Sequence, residues 1–260
     1  MAHANTKTNK IKQNVIRIAK KAFHFTERFS AKYITKLIDK VHLLDPRDNT
    51  KQRVITALIL IPVALYAILG SENVFIFLAI AMAILMTSEW IEITKTAKDK
   101  TKWQLIGLFY ILIPIYSVIK IRLHDADILF WMFAVIWATD IFAFFSGRTL
   151  GGKKLAPHIS PNKTYTGLIG GVIASMLVGF ISAFMFSGGF FFFIFVSALL
   201  SLLEQASDLL ESKIKRTFGV KDSGNIIPGH GGVLDRLDGM MLVAPFVLFL
   251  ITVFADKFGL

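Results

Sequence analysis

Residues 190–210 read FFFFIFVSALLSLLEQASDLL, and residues 211–238 continue ESKIKRTFGVKDSGNIIPGHGGVLDRLD. The first stretch lacks lysine and arginine and is long enough to cross a ~30 Å hydrocarbon layer as a helix, which takes ~20 residues. The second mixes both signs of charge with glycines and belongs in water or at an interface. Six further stretches resemble the first: 54–70, 74–93, 104–119, 127–146, 167–186 and 239–255. The sequence therefore predicts an all-α, polytopic membrane protein with about seven transmembrane helices. Composition agrees, with 54% apolar and 18% charged residues over the 260-residue chain. Soluble domains run at roughly 45–50% and about 25%. The chain has no cysteine, which excludes a disulfide scaffold, a thiolate-held zinc or iron–sulfur cluster, and thiol catalysis.

The charges outside the spans fix an orientation. Residues 1–53 carry a net +9, 94–103 carry +3, 147–166 carry +4 and 211–238 carry +1, while the remaining loops sum to zero. Lysine and arginine accumulate on the cytoplasmic side of short loops. With seven spans, all four basic segments fall on that side, placing the N-terminus inside and the C-terminus outside. The net charge of +11 is thus accounted for by topology and the lipid bilayer, and no nucleic-acid partner is expected. Within the extension formed by residues 1–50, Ile11, Val15, Ile18, Ala22, Phe25 and Phe29 recur at spacings of four and three. Lys12, Arg17, Lys20, Lys21 and Arg28 lie off that stripe, the pattern of a basic amphipathic helix lying in the membrane interface. The transmembrane domain occupies 51–260.

Apart from Asp127 at the outer edge of its span, the spans hold five carboxylates, Glu89, Glu92, Asp140, Glu204 and Asp208. An ionised group at the bilayer centre costs at least ~2.5–3.5 kcal/mol, so such residues are rare and tend to be functional. Under this topology each lies in the cytoplasmic half of its helix. Glu204 and Asp208 share a helix face, and Asp235 and Asp238 precede the last span. Carboxylates gathered without intramembrane cations call for a counter-charge. Mg2+ meets that need with one or two carboxylates completed by substrate phosphates. For Glu89 and Glu92, beside Trp90, the expectation is a water-exposed helix end without a ligand. Asp140 is open between lining a polar cavity and pairing with Arg148.

The loop adds the partners such an ion would need. Lys213, Lys215, Arg216, Lys221 and Arg236 alternate with Glu211, Asp222, Asp235 and Asp238. Carboxylates can hold a cation while lysine and arginine hold phosphate oxygens, and glycines let backbone N–H groups approach an anion. Ser212-x-x-Lys215-Arg216, Lys221-Asp222-Ser223-Gly224 and Pro228-Gly229-His230-Gly231-Gly232-Val233-Leu234-Asp235-Arg236-Leu237-Asp238 resemble the signature of the phosphatidate cytidylyltransferases (CDP-diacylglycerol synthases). Upstream, Asp140-x-x-Ala143-x-Phe145-x-Gly147-Arg148 and Ser160-Pro161-Asn162-Lys163-Thr164-x-x-Gly167 are similar to a second block of that family. The likeness covers about residues 52–250. It departs at Ser207, where glycine is usual, at Ile141-Phe142 and at Thr166, and the stretch between Trp90 and Tyr110 is shorter than usual.

The resemblance implies transfer of the cytidylyl group of CTP to phosphatidate, giving CDP-diacylglycerol and pyrophosphate. It implies Asp208 and Asp235 as ligands of Mg2+, with a monovalent cation such as K+ left open beside it, and Asp238 as an auxiliary carboxylate. Lys215, Arg216, Lys221 and Arg236 would bind the triphosphate or the lipid phosphate. Ser160, Lys163 and Thr164 would add contacts from the neighbouring loop, and Ser212, Asp222 and Asp140 would line the substrate site. His230 is a candidate general acid or a hydrogen-bonding strut. The resemblance suggests a homodimer, the short loops suggest a bacterial inner membrane, and the charge topology puts the site on the cytoplasmic side. A transporter using the carboxylates as an ion relay is the alternative of a different class; it would place them nearer the bilayer midplane.

Overall fold

The computed structural model describes residue 58 and residues 61–186, 188–227 and 231–259. The amphipathic extension expected over residues 1–50, the start of the first span, and His230 lie outside the described residues. A helix α1 covers residues 61–69. It is followed by α2 (Glu72–Ile93), α3 (Lys100–His124), α4 (Ala126–Leu150), α5 (Tyr165–Ser182) and α6 (Phe190–Thr217). A short α7 (Leu234–Leu237) leads into α8 (Met240–Val253), and a single turn α9 (Ala255–Phe258) ends the chain. Helices α2 to α6 are each long and apolar enough to cross a membrane, and α8 is a shorter apolar helix. The chain is an all-α, multi-pass membrane protein, as its hydropathy pattern predicts.

Several helices outrun their expected spans because a helix satisfies its own backbone and need not stop where the lipid does. Asp99 caps α3 by accepting from the Lys102 N–H at 3.0 Å, so α3 begins four residues before the apolar stretch. Helix α6 continues seven residues beyond Leu210. Its 28 residues span ~42 Å at 1.5 Å per residue, more than the hydrocarbon thickness. Lys215 and Arg216 lie in its last turn, where cations favour the helix dipole.

The buried face of α6 explains how the same helix serves packing and chemistry. It begins apolar with Phe193, Val196 and Leu200. It then turns polar through Ser201, Glu204, Gln205, Ser207, Glu211, Ser212 and Lys215. One stripe at spacings of three and four thus grades from lipid-depth packing to a polar site. Trp131 packs edge-on against Phe193 at 5.3 Å at the apolar end. Small residues bring α5 close to its neighbours: a Cβ at Gly171 would lie 3.1 Å from the Thr139 carbonyl oxygen on α4. This is the close-packing device of membrane helices.

The segment between α4 and α5, expected as a plain loop, contains a small antiparallel hairpin. Strand β1 (Lys154–Ala156) pairs with β2 (Ser160–Thr164). Gly151 (φ 64) and Gly152 (φ 109) reverse the chain as it leaves α4, and the Thr166 hydroxyl donates to the Gly151 carbonyl.

The α2–α3 packing is tight around Trp90, whose indole N–H donates to the Trp103 carbonyl at 2.8 Å. A Cβ at Gly107 would run into that indole ring. Gly107→Ala should therefore cost about 1–3 kcal/mol of overpacking, read as a lowered thermal midpoint of the protein in detergent.

Candidate active site

Three elements bring the charged groups together: the polar end of α6, the hairpin strand β2, and the loop that runs from α6 through α7. On α6, Asp208 pairs with Lys163 of β2 and accepts from the Ser212 hydroxyl at 3.2 Å. Two turns further, Lys215 lies between Glu211 of its own helix at 3.0 Å and Asp235 of α7 at 2.5 Å. Asp235 is held on its other side by the backbone N–H groups of Ser223 and Gly232, both at 2.9 Å. Burial works to raise the Asp235 carboxyl, but Lys215 and these two N–H groups outweigh it and hold the group below the usual carboxylate range. Gly231 makes this turn possible. Its φ of 85° is the left-handed conformation that favours glycine.

Asp238 stands next in the cluster. Burial pushes its carboxyl up to about 7, and the negative charges of Asp208 and Asp140 add to the rise. Its carbonyl accepts from the Ser207 hydroxyl, so the serine found where glycine was expected ties α6 to the start of α8. Burial disfavours the Lys163 ammonium, yet Asp208 beside it more than compensates and its pKa stands above the ordinary lysine value. Asp140 on α4 lies beside Glu204 of α6, within side-chain hydrogen-bonding reach. Arg148 lies over the Phe144 ring at 5.8 Å.

Other residues singled out in the sequence have more local tasks. Thr164 caps α5, its hydroxyl accepting from the Gly167 N–H at 3.1 Å. Arg216 donates to the carbonyls of Val220 at 2.9 Å and Ile159 at 3.4 Å, fastening the hairpin turn to the end of α6. Ser160 is half-buried in β2, while Lys221 and Asp222 are exposed on the loop.

A cavity of about 340 Å³ opens next to this cluster. Most of its wall is apolar, including Ala67, Phe75, Met82 and Trp137. Its charged lining residues are Asp140, Arg236 and Asp238. A mostly apolar wall with a few convergent polar groups is the form of a ligand site.

The clearest correction concerns Glu89. It is not a water-exposed helix end: it is buried on α2 and accepts from the Ser223 hydroxyl and the N–H groups of Val233 and Leu234. Glu92, one turn on, is exposed and pairs with Lys95, as expected of a solvated end. The register would have separated them. Glu89 falls on the buried stripe of Phe75, Ala79, Ala83, Met86 and Ile93, and Glu92 does not. Glu211 is likewise buried, one turn beyond Asp208 and on the same stripe as Glu204.

The donor set for a cation is all oxygen. Among the described residues no group of three or more Asp, Glu or His side chains forms a ready metal cage, and Lys163 and Lys215 stand against Asp208 and Asp235. Even so, Glu204 Oε2 and Glu211 Oε2 are buried without a hydrogen-bond partner. The cluster holds more buried carboxylate oxygen than its lysines answer, which suits a hard divalent ion.

Comparison with known proteins shows the family. The profile of the cytidylyltransferase family matches residues 51–120 and 103–254. The chain belongs to that family. A phosphatidate cytidylyltransferase of Rickettsia felis is 40% identical over 222 residues, covering 81% of this chain and 96% of the relative. One from Rickettsia bellii is 41% identical over 215 residues, 78% of this chain and 91% of the relative. One from Brucella abortus is 42% identical over 188 residues, 69% of this chain and 66% of a longer relative. The matched segments include the hairpin, the polar end of α6 and the loop to α8.

Lys215 is the charge on which two buried carboxylates depend. Lys215→Met should destabilise the protein by about 3–5 kcal/mol, the scale for removing one partner of a buried ion pair. The check is the thermal midpoint in detergent, against a Lys213→Met control at an exposed position.

Proposed function

We propose that this protein is a phosphatidate cytidylyltransferase, making CDP-diacylglycerol and pyrophosphate from CTP and phosphatidate. The observation that carries the reading is the juxtaposition of an apolar cavity with the lysine–carboxylate cluster, through Asp140, Arg236 and Asp238. A substrate with acyl chains and a phosphate fits the first, and a triphosphate fits the second.

The attacking group is a phosphate oxygen of the lipid, largely ionised at neutral pH because phosphomonoesters have a second pKa near 6. The chain therefore needs no strong general base. That oxygen forms a bond to the α-phosphorus of CTP while the bond to the bridging oxygen breaks, and pyrophosphate leaves with the electron pair. The work left to the protein is to hold two anions in line and to answer the charge that builds up.

Arg236, lining the cavity, receives the lipid phosphate, with the acyl chains along the apolar wall. Lys163 and Lys215 supply cations beside Asp208 and Asp235, and exposed Lys221 meets the outer phosphates of CTP. Ser212 orients Asp208. Asp208 and Asp235 would hold Mg2+, with Asp238 close by. When bound, that ion supplies positive charge to the α-phosphoryl group and the departing pyrophosphate.

Charge supports a setting for this reading. The basic segments 94–103 and 147–166 fit a site at the cytoplasmic face of a bacterial inner membrane, because lysine and arginine accumulate on that side and CTP is available there. The homodimer implied by the family likeness belongs to the same reading.

The purified protein in lipid vesicles with CTP, phosphatidate and Mg2+ should form CDP-diacylglycerol and pyrophosphate in equal amounts, and chelation of divalent cations should stop it. Asp235→Asn should lower the rate at least about a hundredfold, the scale on which loss of one electrostatic stabiliser acts. CTP turnover that ignores phosphatidate, or ion flux without turnover, would overturn the assignment.

A further inference from the structure

The buried carboxylate of Glu89 has no part in the chemistry just described, yet it accepts three hydrogen bonds from the signature loop. Its Oε1 accepts from the Val233 N–H at 2.8 Å. Its Oε2 accepts from the Leu234 N–H at 2.8 Å and the Ser223 hydroxyl at 3.0 Å. These partners lie 134 to 145 residues away in sequence, so the contacts are tertiary. The loop is shaped around the group. A Cβ at Gly232 would come within 2.6 Å of Glu89 Oε2, and one at Gly224 within 2.9 Å of Oε1.

The same short segments face a second carboxylate. Ser223 points its hydroxyl at Glu89 and its N–H at Asp235. Gly232 gives its N–H to Asp235, and the next two N–H groups go to Glu89. The Asp235 N–H in turn lies 3.4 Å from the Ser223 hydroxyl oxygen. Glu89 and Asp235 thus grip one fold of chain from opposite sides. Hydrogen bonds to an ionised acceptor are about twice as strong as neutral ones, and here they act in a buried setting where water does not compete. Glu89 sits on α2, a long helix, whereas Asp235 sits on a four-residue turn with little rigidity of its own.

We infer that Glu89 is a positioning residue for cytidylyl transfer: anchored on α2, it holds Ser223 and the Gly232–Leu234 backbone around its carboxylate and thereby fixes the orientation of Asp235. It touches no substrate. The inference rests on the proposed reaction, in which Asp235 acts at the site.

Glu89→Gln keeps the shape but turns one accepting oxygen into an N–H donor, which then faces a backbone N–H or the Ser223 hydroxyl. The protein should remain folded and monodisperse. Its kcat for CDP-diacylglycerol formation should fall at least about tenfold, with the KM for CTP changed less than about threefold. Hydrogen exchange at residues 231–235 should quicken, while exchange in α3 and α6 stays as in the wild type.

Ser223→Ala removes one of the three bonds and leaves the carboxylate in place. It carries the test if Glu89→Gln fails to fold, and should lower kcat about threefold or more with faster exchange in the same loop. A kcat within twofold of wild type for either folded variant, or a lower kcat without faster exchange at 231–235, overturns the inference. A wild-type protein that makes no CDP-diacylglycerol overturns the proposed reaction instead, and the exchange measurement still reports whether Glu89 holds the loop.

Discussion

A carboxylate withdrawn from water must be answered by cations or hydrogen-bond donors, and the polar half of this molecule is organised by that requirement. Asp208 is answered by Lys163, Asp235 by Lys215 and two backbone N–H groups, and Glu89 by a hydroxyl and two N–H groups. Each answer comes from a different element, so the pairs act as tertiary clasps. Lys163 fastens the hairpin to α6, Lys215 fastens the loop to α6, and Glu89 fastens the loop to α2. In a bilayer, apolar packing between helices gives little directional preference because lipid tails compete for the same surfaces. Polar clasps of this kind give the bundle a single arrangement at its polar end.

The same requirement separates structural from reactive groups. The lone pairs of Glu89 are consumed by the chain itself, which suits a support. Glu204 and Glu211 each retain a buried oxygen without a partner, and the Asp238 carboxyl is pushed up to about 7 by burial and by Asp208 and Asp140. In the proposed reaction, Mg2+ with its phosphates would answer these oxygens.

Much of this was legible in the sequence because the signals are long or dense. Apolar runs without lysine or arginine gave the helices, and the alternation of acids, bases and glycines over 207–238 marked the cluster containing Asp208, Lys215 and Asp235. Helix ends were less legible, since hydropathy records where lipid stops and not where the backbone stops being helical; α6 is the clear case. The hairpin at 154–164 escaped because two strands of three and five residues carry no alternation long enough to register. Glu89 was misjudged because its neighbourhood was read as an interface, whereas its helical phase put it on the buried stripe. Its partners are more than half the chain length away, and no local pattern in the sequence points to them.

Helix α6 is one uninterrupted rod from Phe190 to Thr217. Its aromatic end is pinned among rings of α4, α9 and the α5–α6 turn, while Asp208 and Lys215 ride on the other end. The height of these groups above the far leaflet is therefore a property of the protein, whereas the height of a lipid headgroup is a property of the membrane. The two coincide only for a bilayer of suitable thickness, so the acyl length of the surrounding lipids becomes a setting of the enzyme's geometry.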